Sequence, residues 1–196
     1  MENQIKKYTN EVMNTLISTS KYRSNSLNLK IPLTYILSLV PLTWDDVYFA
    51  FRNGYINIDD VIDFAIYEVE KDNENDIVLE LAGQSSRYLT EENLISNYFN
   101  NLIKIDETNI MNSEKILYIV LQFLYENITQ FEDPWQAIEV IYDDFNYNED
   151  ISNLVRYRIQ ETIFEKFENE EEFLFYNWEL YLTQQKQKYK TGGRLA

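Results

Sequence analysis

Apolar residues recur at the three- and four-residue spacing of helices along nearly the whole chain, and period-two runs bounded by turn residues are scarce. This periodicity predicts an all-α fold, a single-domain bundle of about eight or nine helices. The first helix is expected over residues 2–20, and the polar stretch SKYRSNSLNLK that follows reads as a linker. A short helix begins after Pro32 and stops near Pro41, because proline fits a helix start and breaks a helix interior.

The segment LTWDDVYFAFRNGYINIDDVIDFAIYEVEK carries the clearest punctuation. Thr43 can cap a helix with Asp45 and Asp46 in its first turn, Asn53 and Gly54 end it, and Asn57 can cap the next with Asp59 and Asp60 behind it. Val61, Ile62, Ala65, Ile66 and Val69 would be that helix's apolar stripe. Such helix pairs joined by short turns pack antiparallel and suggest a layered arrangement. A short helix ends at Gly83. Thr90 caps another, striped by Leu94, Ile95, Tyr98 and Leu102.

Farther along, NSEKILYIVLQFLYEN is apolar almost all round, as a helix central to the bundle would be. Asp133 and Pro134 then read as cap and first residue of a helix whose Trp135, Ile138, Ile141, Tyr142 and Phe145 share one face. Two long helices, 149–168 and 171–188, complete the pattern. The domain organisation expected is an N-terminal helix and polar linker over 1–31, an acidic helical domain over 32–188 and a flexible tail over 189–196.

Charge changes this picture more than composition does. The chain of 196 residues has 17 basic and 33 acidic side chains, a net of −16. Five basic and two acidic residues lie in 1–31 and four basic in 186–196, which leaves 8 against 31 between residues 32 and 185. Such a field repels phosphate backbones and anionic membranes and attracts basic proteins. No Cys and no His occur, so thiolate nucleophiles, imidazole bases and Cys- or His-ligated metals are excluded. The polar N-terminus lacks a signal-peptide core, and the apolar run over 31–42 is too short to span a bilayer; a cytoplasmic location is expected.

Within FEDPWQAIEVIYDDFNYNED, residues 131–150, seven carboxylates stand beside five aromatic rings, and no basic residue occurs from residue 116 to residue 155. Glu139 and Asp143 are like-charged i,i+4 neighbours, so their countercharge must come from elsewhere in the fold or from another molecule. Trp135, Tyr142 and Phe145 belong to the apolar stripe and read as core; Tyr147, between two asparagines, is the better exposed anchor. Asp143, Asp144, Tyr147, Glu149 and Asp150 therefore form the first candidate partner-binding patch, with Asp45, Asp46, Asp59 and Asp60 second. Glu165, Glu168 and Glu171 have the spacing of helix-borne Mg²⁺ ligands, but an acid-rich helix produces that spacing by chance, and no catalytic, metal or cofactor site is assigned.

The ordered segments LTWDDVYFAFRNGYINIDDVIDFAIYEVEK, DIVLELAG, LYIVLQFLYEN, FEDPWQAIEVIYDDFNY and ISNLVRY resemble a bacterial domain family without an assigned function, over residues 32–185. Its members are small acidic proteins, and many are thought to be immunity proteins encoded beside polymorphic or contact-dependent toxins. The resemblance implies a non-enzymatic inhibitor without cofactor, whose partner is the C-terminal domain of a cognate toxin, a basic domain such as a nuclease, with no direct binding to nucleic acid or membrane. A metal-dependent all-α nucleotide hydrolase and a non-enzymatic acidic adaptor are the competing readings.

Overall fold

The computed structural model describes residues 7–20, 24–104, 114–159 and 167–191. Its regular elements are helical, and no strand occurs among the described residues beyond one isolated parallel bridge between Tyr8 and Phe131. The fold is all-α. The chain forms two compact units, one of residues 29–116 and one of residues 1–28 with 117–196.

In the unit of residues 29–116, α2 (Leu33–Leu39) follows Pro32 as expected and buries Leu33 and Ile36. Helices α3 (Trp44–Arg52) and α4 (Ile58–Val69) both open on capping boxes, Thr43 with Asp46 and Asn57 with Asp60. Between them Gly54 takes φ +73°, the left-handed conformation that ends α3 and that other residues adopt at a cost. Two bonds close this turn: Lys30 Nζ donates to the Gly54 carbonyl, and Ile31 N donates to the Tyr55 carbonyl at 3.0 Å. The stripe of α4 is rotated from the expected one. Phe64 is buried with Val61, Ile62 and Ala65, whereas Ile66 is exposed.

Helix α5 (Asp76–Ala82), capped by Asn75, packs on α4 and ends at Gly83. Thr90 caps α6 (Glu91–Leu94) as predicted, but the helix then widens into a π-turn over Ile95–Phe99 before α7 (Asn100–Leu102). One extra residue per turn shifts the inward face, so Phe99 is buried beside Leu94 and Tyr98 while Ile95 and Leu102 are only half-buried. Phe99 meets Tyr48 at 4.9 Å and Trp44 at 6.3 Å between ring centres, and Trp44 meets Phe64 at 4.8 Å. These edge-to-face contacts bind three helices through one aromatic cluster.

The other unit takes in α8 (Glu114–Glu126) from Leu117 onward, and residues 117–121 are all buried, as the helix's all-round apolar character demands. Around this helix lie α9 (Pro134–Asp144), capped by Asp133, and α10 (Glu170–Thr191). Trp178 of α10 is fully buried and touches Tyr125 at 5.1 Å and Trp135 at 5.7 Å. Helix α1 (Asn10–Thr19) starts later than periodicity suggested, because Tyr8 pairs through its backbone with Gln130 and Glu132 and stacks on Phe131 at 4.5 Å. Within the stretch read as a linker, Asn25 and Leu27 are buried in this unit, so these residues belong to its interior rather than to a solvated tether. No long helix spans 149–159: Glu149–Leu154 and Arg156–Arg158 are 3₁₀ turns broken at extended Val155. The rest of that expected helix, residues 160–166, lies outside the described residues, as do the tail residues 192–196.

The caps give a direct test of which acids are structural. Asn57→Ala removes the acceptor for the Asp60 amide (3.1 Å) and is expected to lower stability in urea unfolding by about 1 kcal/mol. Asp59→Asn, on the exposed side of the same turn, should stay within about 0.5 kcal/mol.

Candidate functional site

The most distinctive surface follows from how α9 begins and ends. Asp133 Oδ1 accepts from Gln136 N at 3.0 Å, and Trp135, Ile138, Ile141 and Tyr142 turn inward. Glu139 and Asp143 therefore share the outer side. The missing countercharge arrives from the 3₁₀ turn after the helix. Arg156 grips Glu139 with two parallel bonds, Nε to Oε1 at 2.9 Å and NH2 to Oε2 at 3.1 Å, and its NH1 reaches Asp133 Oδ2 at 3.0 Å. The fork of a guanidinium suits this bidentate grip. The bonds to Glu139 hold the Arg156 pKa above its ordinary value.

At its C-terminal end α9 stops by a change of handedness. Asn146 (φ +55°) and Tyr147 (φ +58°) are both left-handed, and Tyr147 N donates to the Tyr142 carbonyl at 2.8 Å, closing the last turn. Asn tolerates this conformation, whereas for Tyr it costs roughly 1–2 kcal/mol. The result is a Tyr147 side chain 54% exposed, its ring edge-on to buried Tyr142 at 5.4 Å. The neighbouring Asp143 carboxylate raises the pKa of the Tyr147 phenol. Asn148 caps the following turn by accepting from Asp150 N at 2.9 Å. Glu149 is held by Arg158, whose NH2 lies 3.1 and 3.2 Å from its two oxygens. Tyr157, between the two arginines, is 64% exposed.

Of the first candidate patch, Asp143, Tyr147, Glu149 and Asp150 are exposed as expected. Asp144 is not. It is half-buried and accepts from Ser26 N at 2.8 Å and Ser26 Oγ at 2.6 Å, tying the segment before α2 to the end of α9. Burial pushes its pKa up to about 6, against the pull of the Ser26 bonds. In the second patch Asp45 and Asp59 are exposed, but Asp46 and Asp60 serve in the capping boxes. Asp46 also pairs with Lys115, with its side chain only 12% exposed. Both Asp46 and Asp60 thus serve the fold through their caps. Periodicity gave no hint of Tyr157: the triplet RYR carries a signal only once Arg156 and Arg158 are known to face the acids of α9 and its loop.

Glu165 lies outside the described residues. Glu168 N donates to Glu172 Oε2 at 2.6 Å, and among the described residues no three acidic side chains converge as metal ligands do. No helix among them is long and apolar enough to cross a membrane.

A family model described as an uncharacterized protein conserved in bacteria, DUF2247, matches residues 33–186. The chain belongs to DUF2247. No curated protein and no solved structure matches it. In this DUF2247 chain the matched span includes α9, Tyr147 and the arginine turn, whereas Ser26, the partner of Asp144, lies outside it.

Two measurements separate the roles of these groups. The protonated form of Asp144 is favoured in the fold, so its contribution to stability is complete below the ordinary Asp value of 3.8 and is lost as pH rises through about 6. Asp144→Asn, whose amide oxygen still accepts from Ser26, should gain on the wild type by about 1–2 kcal/mol between about pH 4.5 and about pH 7.5 in urea unfolding. Arg156→Gln leaves Glu139 and Asp133 without their cation and is expected to destabilise by about 1 kcal/mol, whereas Arg158→Gln at the exposed pair should cost less than about 0.5 kcal/mol.

Proposed function

We propose that this chain is an immunity protein, resident in the cytoplasm, that binds the C-terminal domain of a cognate bacterial toxin and neutralises it by covering a basic active-site cleft. The observation that carries the reading is the exposed tyrosine and carboxylate surface at the end of α9, on a body whose residues 32–185 hold 8 basic against 31 acidic side chains. The family resemblance of the sequence supports it independently.

The physical steps require no chemistry from the inhibitor. A toxin that cleaves nucleic acid needs a cationic cleft for phosphates, and an acidic protein is steered toward the same cleft at rates above those of neutral partners. Once docked, exposed tyrosines are suited to anchor the interface, because a large amphipathic ring buries much area at little entropic cost. Carboxylates then stand where substrate phosphates would lie. Of the acids, Asp143 and Asp150 suit this task best: both are exposed, and neither is engaged by Arg156 or Arg158.

Co-expression with the toxin domain encoded beside this gene, in a host that the toxin kills, tests the reading through rescue and co-purification. The double reversal Asp143→Lys with Asp150→Lys is expected to slow association about tenfold or more at low salt while leaving the unfolding midpoint within error. Absence of both rescue and complex would overturn the immunity role.

A further inference from the structure

Helix α10 buries Phe173, Leu174, Trp178, Tyr181 and Leu182 on its inward side. Its opposite side is not purely polar. Tyr176 is 53% and Leu180 41% exposed, and exposed Thr183 and Gln187 continue the same line toward the C-terminal end of the helix. Steps of four, three and four residues keep these positions on one face, with the spacing of a helix-pairing seam. Phe167 holds the Tyr176 ring at this face, with centres 5.4 Å apart. Along one flank of the seam the charges are ordered: Glu172 and Glu179 come first, Lys186 and Lys190 after them, and all four are exposed. Glu179 accepts from the Tyr125 hydroxyl at 2.6 Å and Glu172 from the Glu168 amide at 2.6 Å, bonds that fix the carboxylates without supplying a cation. Among the described residues none of the four charges has an ion pair. The helix dipole accounts for charge order only in the terminal turns, and Glu179 and Lys186 lie further in.

We propose that α10 pairs antiparallel with α10 of a second copy of this chain, about a two-fold axis near Tyr181 and Leu182. In that register Leu180 lies opposite Thr183 of the second copy, and Tyr176 opposite its Gln187. A two-fold antiparallel pair sets the same flank of each helix against itself, so Glu172 and Glu179 come level, to within a turn, with Lys190 and Lys186 of the second copy. A parallel pair would set like charges together. A uniformly basic partner would match the glutamates and be repelled by the lysines, and an anionic one the reverse. A second copy turned end for end matches both halves, even though the acidic bodies repel one another elsewhere. The inference does not rest on the immunity reading. One helix pair buries less than a standard interface, which sets the dissociation constant in the micromolar range.

Sedimentation equilibrium of the full chain at physiological salt, from low to high micromolar concentration, is expected to show a monomer–dimer equilibrium. Glu172→Lys with Glu179→Lys, and separately Lys186→Glu with Lys190→Glu, should each weaken dimerisation at least about tenfold, because like charges then meet. Mixed in equal amounts, the two variants should recover a one-to-one dimer. Circular dichroism matching the wild type would show that both still fold. Should either charge variant misfold, Leu180→Gln decides instead: losing the apolar contact nearest the axis should weaken dimerisation about fivefold or more. A wild type that stays monomeric throughout, folded variants that dimerise as strongly as it does, or a mixture no more dimeric than its components would overturn the pairing.

Discussion

With 17 cationic side chains against 33 carboxylates, only about half of the acids can sit in one-to-one ion pairs, and the remainder must be stabilised by other means. The fold meets this constraint chiefly at helix starts. Unsatisfied backbone N–H groups and the positive end of the helix dipole accept negative charge without any cation. Asp46, Asp60 and Asp133 all sit in such positions, with Thr43, Asn57 and Pro134 completing the local geometry. A helical architecture with many short elements supplies many such ends. It is a natural solution for a strongly acidic chain, because each new helix start offers places for carboxylates that would otherwise repel one another.

Two of the few cations reinforce carboxylates that already serve at helix starts. Lys115 pairs with Asp46 when that carboxylate is already committed to its cap. Arg156 bridges the cap of α9 and the carboxylate six residues further along the helix, so that one guanidinium offsets charge at two levels of the same helix. Asp144 is the exception. It is half-buried with hydroxyl and amide donors alone, and an oxygen so placed ionises reluctantly. Two neighbouring aspartates in sequence thus have opposite fates: one faces solvent, the other joins residue 26 to the last turn of α9.

How far the sequence revealed this depends on the distance over which each feature is determined. Thr43, Asn57, Thr90, Asp133 and Pro134 were readable because a cap is a contract among residues two to four apart. The all-round burial of α8 was readable for the same local reason. The π-turn at Ile95–Phe99 was not, since a wide turn is selected by where Phe99 must pack against Trp44 and Tyr48, some fifty residues away. Arg156 was foreseen only as a need: the run without bases required a distant countercharge, but nothing local said that it would come from 17 residues downstream. The breaking of 149–159 into 3₁₀ turns follows the same logic, because holding Arg156 on Glu139 and Asp133 constrains the chain where helical propensity alone would have continued.

The acids of the α9 end that have no ion pair among the described residues are informative because the rest of the unit shows that pairing was available. Arg158 holds Glu149 beside Asp150, and Arg156 holds Glu139 one turn before Asp143. A chain able to place two guanidiniums within this short surface nevertheless leaves Asp143 exposed and outside both of their ion pairs, four residues before an exposed Tyr147 with a left-handed backbone. Stability alone favours neither choice: exposing a large ring forfeits burial, and a left-handed tyrosine costs backbone energy. Both costs are recovered if a second molecule supplies the missing apolar cover and the missing cation, since burying an aromatic anchor and completing a charge-assisted bond then occur on binding rather than on folding. The same reasoning does not extend to Asp46 or Asp60, whose bonds are already complete in the folded chain. Under the proposed immunity reading, incomplete local bonding, more than the number of acids, is what singles out the end of α9.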